Sequence, residues 1–384
     1  MVKPGQVLTT AVILWLAFPS VVPAPVYLFA DATAGTDPMG RNITSFSVPA
    51  LNNSGVVAFR ANLAGGGSGK AIYYSGPSDA YGGPLVMIAD TSATQVPTSD
   101  GTPARFHQLG NPSISNTNLV AFRAIFKDAN NHNSFGVYGG DGNTLVTIVE
   151  GPNVQIKGID QTSINRAGTR VAFSGRPAST AGQSLFVASS DGSTPPVMLV
   201  TSEGPFASFD DPFLNDGLQL AFRATLDAGG SGIFRTDALT ATTIVIANSG
   251  GDFTRFGPDV SMNSSGIVAF AGELTTGATG VFTGNGGPFT TIADDSGLFA
   301  SFGAVSITSS NLVAFLAVED GGREGIFTSL GEKIIAVGDP LLGQIVTDLD
   351  FGREGLNDAG QVAFFARLSN GASEIFVASP EPAQ

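Results

Sequence analysis

The stretch NNSGVVAFRA, residues 52–61, decides the fold, because close copies of it return along the chain. NSSGIVAFAG at 263–272 and NDAGQVAFFA at 357–366 are two of them. The central tripeptide recurs as Val57-Ala58-Phe59, Val120-Ala121-Phe122, Val171-Ala172-Phe173, Leu220-Ala221-Phe222, Val268-Ala269-Phe270, Val313-Ala314-Phe315 and Val362-Ala363-Phe364. The Phe-to-Phe spacings are 63, 51, 49, 48, 45 and 49 residues. A fixed period in this range marks a repeat architecture in which each unit is one supersecondary structure.

Each copy carries the same neighbours. A turn precedes it, as in Asn52-Asn53-Ser54-Gly55, Asn357-Asp358-Ala359-Gly360 and a shorter Asn215-Asp216-Gly217; Asn118 and Asn311 take the Gly55 position in two copies. Gly and Asn best tolerate positive φ, so this position calls for left-handed backbone. A strand ending in an aromatic follows, as in Ile72-Tyr73, Val137-Tyr138 and Ile233-Phe234, and then a hairpin turn and a further apolar run such as Leu85-Val86-Met87-Ile88-Ala89. With the segment ahead of the turn, each unit has four short antiparallel strands, which is one blade of a propeller. Alternation along a strand puts Val57, Phe59 and Ala61 on one face and Ala58 and Arg60 on the other. The large Phe of one blade can thus pack on the small Ala of its neighbour.

The last copy ends after Glu374-Ile375-Phe376-Val377 without its fourth strand, whereas an orphan strand of that type, residues 26–31, precedes the first copy. An N-terminal strand that completes the last blade closes the ring and removes the sheet edges. The expected fold is all-β, a seven-bladed β-propeller of four-stranded blades over residues 25–379, followed by a tail at 380–384.

Composition agrees with a folded, exported chain. Of 384 residues 42% are hydrophobic and 13% charged, with 50 Gly and 22 Pro. That is turn-rich, with ample apolar material for a core. The balance of 18 basic against 32 acidic residues, net −14, argues against nucleic acid or an anionic membrane as partner. The absence of Cys removes disulfides, thiolate nucleophiles and Cys-based metal sites. Lys3 followed by the apolar run VLTTAVILWLAFPSVV at 7–22 reads as a signal peptide over residues 1–24, too short for a membrane span. The mature chain is therefore expected outside the cytoplasm, extracellular, on the cell surface or periplasmic, without a stable membrane span and as a monomer.

The unit Asn-x-x-Gly-x-Val-Ala-Phe-x-Ala resembles the tandem repeat of a group of bacterial exported proteins of uncharacterised function, many with a C-terminal sorting tail. Here Pro380-Glu381-Pro382 resembles the start of a PEP-type sorting signal, although the apolar span and basic end of such a signal do not follow it; the alternative is an ordinary tail. More loosely, the unit is similar to the propeller repeats of the periplasmic protein TolB.

Candidate chemistry is sparse. Asp31, Asp90, Glu150, Glu203, Asp294 and Asp339 recur after the last strand of six units. They read either as a ligand face for cations or sugars, or as carboxylates that cap the turn. On outermost strands they would lie too far apart to share a metal. Asp348-x-Asp350-x-Gly352 has the alternating oxygens of a calcium loop without the distal Glu, and reads either as an acidic turn or as a calcium site at Asp348 and Asp350. Arg60, Arg123 and Arg223 share the site one past the Phe; they would line an anion site or pair with carboxylates between blades. His107 and His132 read as loop or surface residues, and residues 65–70 (GGGSGK) lack the framing residues of a phosphate loop. Adjacent carboxylates such as Asp210-Asp211 diverge on a strand or loop and make poor catalytic pairs. No catalytic residue or cofactor site is assigned. The reading is a non-catalytic binding or scaffold component with a protein or polysaccharide partner. The alternatives are a TolB-like periplasmic adaptor and a glycan-active enzyme.

Overall fold

A computed structural model describes residues 27–31, 36–64, 69–75, 85–98, 101, 103–127, 130–179 and 182–381. The expected signal peptide, the Gly-rich tip at 65–68 and Pro382 lie outside these. Seven antiparallel sheets follow one another around a ring, one per tripeptide copy, with a single four-residue helix at Gly151–Val154 among the described residues. The molecule is a seven-bladed β-propeller.

Blade 5 shows the unit at its simplest. Phe253–Met262, Val268–Leu274, Thr279–Gly284 and Thr290–Asp294 pair in chain order from the axis outward. In blades 1, 2 and 4 the innermost strand is split in two, as in Ile43–Phe46 and Ala50–Leu51. The break falls at Pro49, Pro112 and Pro212, which have no N–H to give the ladder. Elsewhere the same place carries a register shift, as between Phe256 and Val260 in blade 5. Every blade thus buckles its innermost strand at one level, and bulges of this kind re-aim side chains, here toward the axis.

Closure follows the expected route. Tyr27–Asp31 pairs antiparallel with Ser373–Pro380, from Tyr27 opposite Pro380 to Asp31 opposite Phe376, and becomes the outer strand of blade 7. The first and last parts of the ring are thereby joined by backbone hydrogen bonds. Farther along, Arg41 ties the incoming loop to blade 1: it pairs with Asp37 at 2.7 Å and with the fully buried Asp90 at 2.7 Å. The Tyr73 hydroxyl donates to Asp37 at 2.9 Å.

The core is seven cores, each between two blades. Val57, Phe59, Ala61 and Tyr73 of blade 1 pack on Ala363, Ile375 and Val377 of blade 7. The opposite face of blade 1, with Ala58 and Ile72, packs under Phe122 and Tyr138 of blade 2. Ala121 meets Phe173, Ala172 meets Phe222, Ala221 meets Phe270, Ala269 meets Phe315 and Ala314 meets Phe364 in the same manner. A larger residue at the Ala would push the blades apart, and a smaller one at the Phe would leave a void. Each Phe also lies opposite the aromatic of the third strand, with ring centroids 5.2 Å apart for Phe173 and Phe186 and 5.9 Å for Phe59 and Tyr73.

The Asn of the repeat staples neighbouring blades. The Asn52 Oδ1 accepts the N–H groups of Ser54 and Val56, closing its own turn, while its Nδ2 donates to the Ser115 carbonyl of blade 2. Asn215, Asn263 and Asn357 donate likewise to the carbonyls of Asn263, Thr308 and Asn52. Where Ser115 and Thr308 replace the Asn, the left-handed residue is Asn118 or Asn311 (φ 63 and 70), and its Oδ1 accepts a second bond from the preceding blade's amide at 2.8 Å. In blade 4 the turn is not shortened: the left-handed position falls on Leu218 (φ 57), one residue after Gly217.

Candidate functional site

Around the axis the buckled inner strands of all seven blades line one channel. Val48, Asn111, Gln161, Asp211, Asp259, Ala304 and Asp350, at corresponding places where the inner strands buckle, contribute to a cavity of about 350 Å³. Two features break the symmetry there: a plug and a division of charge.

The plug is built by two extra residues. Blade 6 spans from Phe302 to Ile307 between its paired ends, and blade 7 from Leu349 to Leu356. The insertion carries Arg353-Glu354 into the channel, where they touch blades on all sides. The Arg353 Nη1 donates to the Asp211 carbonyl of blade 4 at 2.8 Å, and its guanidinium lies 6.0 Å from the Phe213 ring centroid. The Arg353 carbonyl accepts the hydroxyls of Ser261 and Ser306, from blades 5 and 6, each at 3.0 Å. The Glu354 carbonyl accepts the Leu51 N–H of blade 1, and its carboxylate accepts the Ser113 hydroxyl of blade 2 at 2.8 Å. A dipeptide bonded to five other blades crosses the axis. On its far side, at the level of the Asn turns, the channel narrows to a cavity of about 80 Å³.

The same serines lock the blades. The hydroxyls of Ser113, Ser163, Ser261 and Ser306 accept the N–H groups of Ile164, Leu214, Ile307 and Leu356, each in the following blade. Three of the four also donate to the plug, so one hydroxyl serves the ring and the insertion together.

On the open side the charges divide. Arg60 and Arg123 from blades 1 and 2 line a recess of about 410 Å³ together with Asp160 and Asp211 from blades 3 and 4. Arg223, at the equivalent position in blade 4, pairs with Asp210 of its own blade at 2.5 Å. Burial and the charge of Arg123 lower the pKa of Arg60, and burial with the charges of Arg60 and Arg123 lowers that of Lys70. Across the channel the effect is opposite. Burial pushes the Asp211 carboxyl up, aided by Asp160, Asp210 and Asp259 and opposed by Arg353. Burial, then Asp348 and Asp259, do the same to Asp350 against one bond from the Phe351 N–H. Burial also raises Glu354, opposed by Arg353, Arg166 and the Ser113 hydroxyl.

With this geometry in view, the sequence comparison places the chain: residues 51–338 match a family of unknown function, DUF7453. The chain belongs to that family. No curated protein sequence matches it. Among solved structures the DUF7453 chain is similar to the β-propeller domain of the trilobed protease from Pyrococcus furiosus. That match has TM-score 0.58 and 11% identity, over 89% of this chain and 99% of that one. It is also similar to a prolyl endopeptidase (TM-score 0.56, 14% identity, 89% of this chain and 51% of that one). A third is an acylaminoacyl peptidase from Pyrococcus horikoshii (0.54, 11%, 87% and 50%). The chain spans about half the length of the last two, and identities this low speak for the propeller fold alone. TolB from Acinetobacter baumannii overlaps at TM-score 0.42, too loosely to carry an argument.

The recurrent acids of the DUF7453 chain stand on the rim, at the ends of outer strands, and are not brought together. Asp90 is held by Arg41, the Ser92 hydroxyl and the N–H groups of Ala93 and Thr94. Asp294 accepts the Ser296 N–H and hydroxyl, and Asp339 pairs with Arg323 and Lys333. Glu150 sits at the start of the short helix and accepts from Asn153, Glu203 is exposed in a turn, and Asp31 lies in the closing strand. Asp348 and Asp350 share one face of the inner strand Gln344–Asp350, and Asp350 lines the channel. Among the described residues no three His, Asp or Glu side chains are grouped to hold a metal. No helix among them is long and apolar enough to cross a membrane. His107 and His132 are exposed and far apart in sequence, on the inner strand and in a loop of blade 2.

Sequence reasoning found the arginines, but not the plug or the acidic wall. The plug hides inside an ordinary 49-residue spacing between Phe315 and Phe364. Its signal was the distance from Leu349 to Leu356, one strand upstream of the tripeptide used to align the repeats.

Proposed function

We propose that the chain is a non-catalytic, exported β-propeller that works as a cell-surface or extracellular binding component, holding a protein or polysaccharide partner at the open mouth of its channel. The observation that carries this reading is the plug. Arg353 and Glu354 are fixed by bonds to five blades and turn a through-channel into a blind funnel, while the charged residues that depart from the repeat collect on its open side. Residues that break a repeat without serving its packing are where function departs from fold. Lys3 and the apolar run at 7–22 support export.

The test is capture on the tagged full chain, expressed in its own host, from envelope and medium fractions, with Arg123→Glu as the control. The expected result is a protein or polysaccharide retained by the wild-type chain and lost from the variant, with the mature N-terminus found near residue 25. Equal recovery on both chains, or turnover of a peptide or glycan by the purified protein that Arg123→Glu abolishes, would overturn the reading.

A further inference from the structure

Arg60 and Arg123 stand out among the equivalent positions. Ser174, Ala271, Leu316 and Phe365 occupy the site in blades 3, 5, 6 and 7, and Arg223 in blade 4 is neutralised by Asp210. Arg60 spends one N–H on the Leu109 carbonyl at 3.3 Å, and the Arg123 side chain lies over Gly110 with no hydrogen bond from its guanidinium to any described residue. A guanidinium offers five N–H donors in a rigid fork matched to carboxylate and phosphate, so most of this capacity faces the recess unused.

Opposite them, the carboxylates of Asp160 and Asp211 line the same recess and accept no hydrogen bond from the described residues, and neither forms an ion pair with Arg60 or Arg123. Positive charges are therefore crowded on one wall and negative charges on the other, each set repelling itself and neither quenching the other. A simple anion entering here would meet the acids, and a simple cation the arginines. A ligand with both charges satisfies both walls.

We propose that this recess binds a small bipolar ligand, with a carboxylate or phosphate held between Arg60 and Arg123 and an ammonium group held by Asp160 and Asp211. The proposal rests on the reading of the funnel as a binding site and gives that site a ligand class. The 410 Å³ recess suits a molecule of amino-acid to dipeptide size. A bidentate fork on the oxyanion and a charge-assisted bond from the ammonium supply orientation as well as affinity.

The experiment is calorimetric titration of the full chain with 4-aminobutyrate, 6-aminohexanoate and phosphoethanolamine, with acetate, inorganic phosphate and ethylammonium as single-charge probes. At least one bipolar probe should bind roughly tenfold or more tightly than any single-charge probe. The amino acids against phosphoethanolamine report which oxyanion is preferred. Arg123→Gln should reduce the affinity for the best bipolar probe to that for ethylammonium, and Asp211→Asn to that of its acid component. Arg123→Lys should restore part of it, and unchanged melting curves establish that the variants are folded. Equal binding of acetate and 4-aminobutyrate, affinities indifferent to both variants, or no binding of any probe at millimolar concentration would each overturn the proposal. If the probes fail while envelope capture still depends on Arg123, the ligand class falls and the binding reading stands; if the probes bind and capture fails, the funnel stands as a small-ligand site and the protein or polysaccharide partner falls.

Discussion

Asp90 and Asp211 are both aspartates drawn out of bulk water, and the fold treats them in opposite ways. At the edge of blade 1 the cost of burying Asp90 is overcome by the Ser92 hydroxyl, the Arg41 guanidinium and the N–H groups of Ala93 and Thr94, which hold its carboxyl well below the usual range. At the channel mouth Asp211 meets burial and three more aspartates with only Arg353 against them, and its pKa rises. Asp37, beside Arg41 and Tyr73, follows the first pattern; Asp350 and Glu354 follow the second. The closing joint at blade 1 is a satisfied region, in which Asp37, Arg41 and Asp90 have each been given a partner. The funnel is an unsatisfied one, and unsatisfied charge kept in a folded protein belongs with function.

The contrast can be broken most forcefully on the satisfied side. Deleting residues 27–31 removes the outer strand of blade 7 and the ladder that closes the ring, so the melting temperature should fall by roughly ten degrees or more; an unchanged melt would mean that closure contributes nothing. Next comes Asp90→Ala, which leaves Arg41 with the Asp37 carboxylate alone and the N–H groups of Ala93 and Thr94 without their acceptor, and should cost about 2–3 kcal/mol in denaturant unfolding at neutral pH. The sign with pH follows from linkage. A carboxyl whose folded pKa lies below its unfolded value near 3.8 stabilises the protein above that pH, and the stabilisation is lost as pH falls through the folded value. The Asp90→Ala deficit should therefore shrink in acid. Asp211 and Asp350 act the other way: with folded values above 3.8, they favour the folded state least at neutral pH and most below it.

A smaller change sharpens the comparison by improving a joint. Leu218 sits at φ 57, where blades 2 and 6 use Asn118 and Asn311. Among the described residues, the preceding blade's Asn165 amide bonds only to Thr169 within its own turn. Leu218→Asn relieves the left-handed strain and offers that amide the acceptor that Asn52 finds on Asn118, for a gain of about 0.5–1 kcal/mol in unfolding free energy.

The satisfied region was also the legible one. Val-Ala-Phe alternation dictates which face is large and which small, and packing between blades obeys it residue by residue from Phe59 on Ala363 to Phe364 on Ala314. The orphan strand ahead of the first copy indicated closure because an unfinished last blade needs a partner. The Asn of each turn was readable as a turn residue, but not as a staple, since its Nδ2 reaches the next blade some 50 residues on and no local pattern encodes that reach. The funnel was least legible. Asp211 and Asp259 both stand 11 residues before the Phe of their tripeptide, but on buckled inner strands of shifting register Asp160 and Asp350 stand 13 and 14 before theirs, so no single offset collects the four. Asp350 drew notice as a calcium candidate and Asp211 as half of an adjacent pair, yet only the ring places them around one opening.

The most direct measurement of this division is the thermal stability of the chain with Arg60→Gln, Arg123→Gln, Asp160→Asn and Asp211→Asn combined. Charges kept for a ligand contribute little to the fold, so the quadruple variant should melt at or above the wild-type temperature at neutral pH, with a difference that narrows in acid. A clear fall in melting temperature would show that these four side chains hold the propeller together, and would contradict the account.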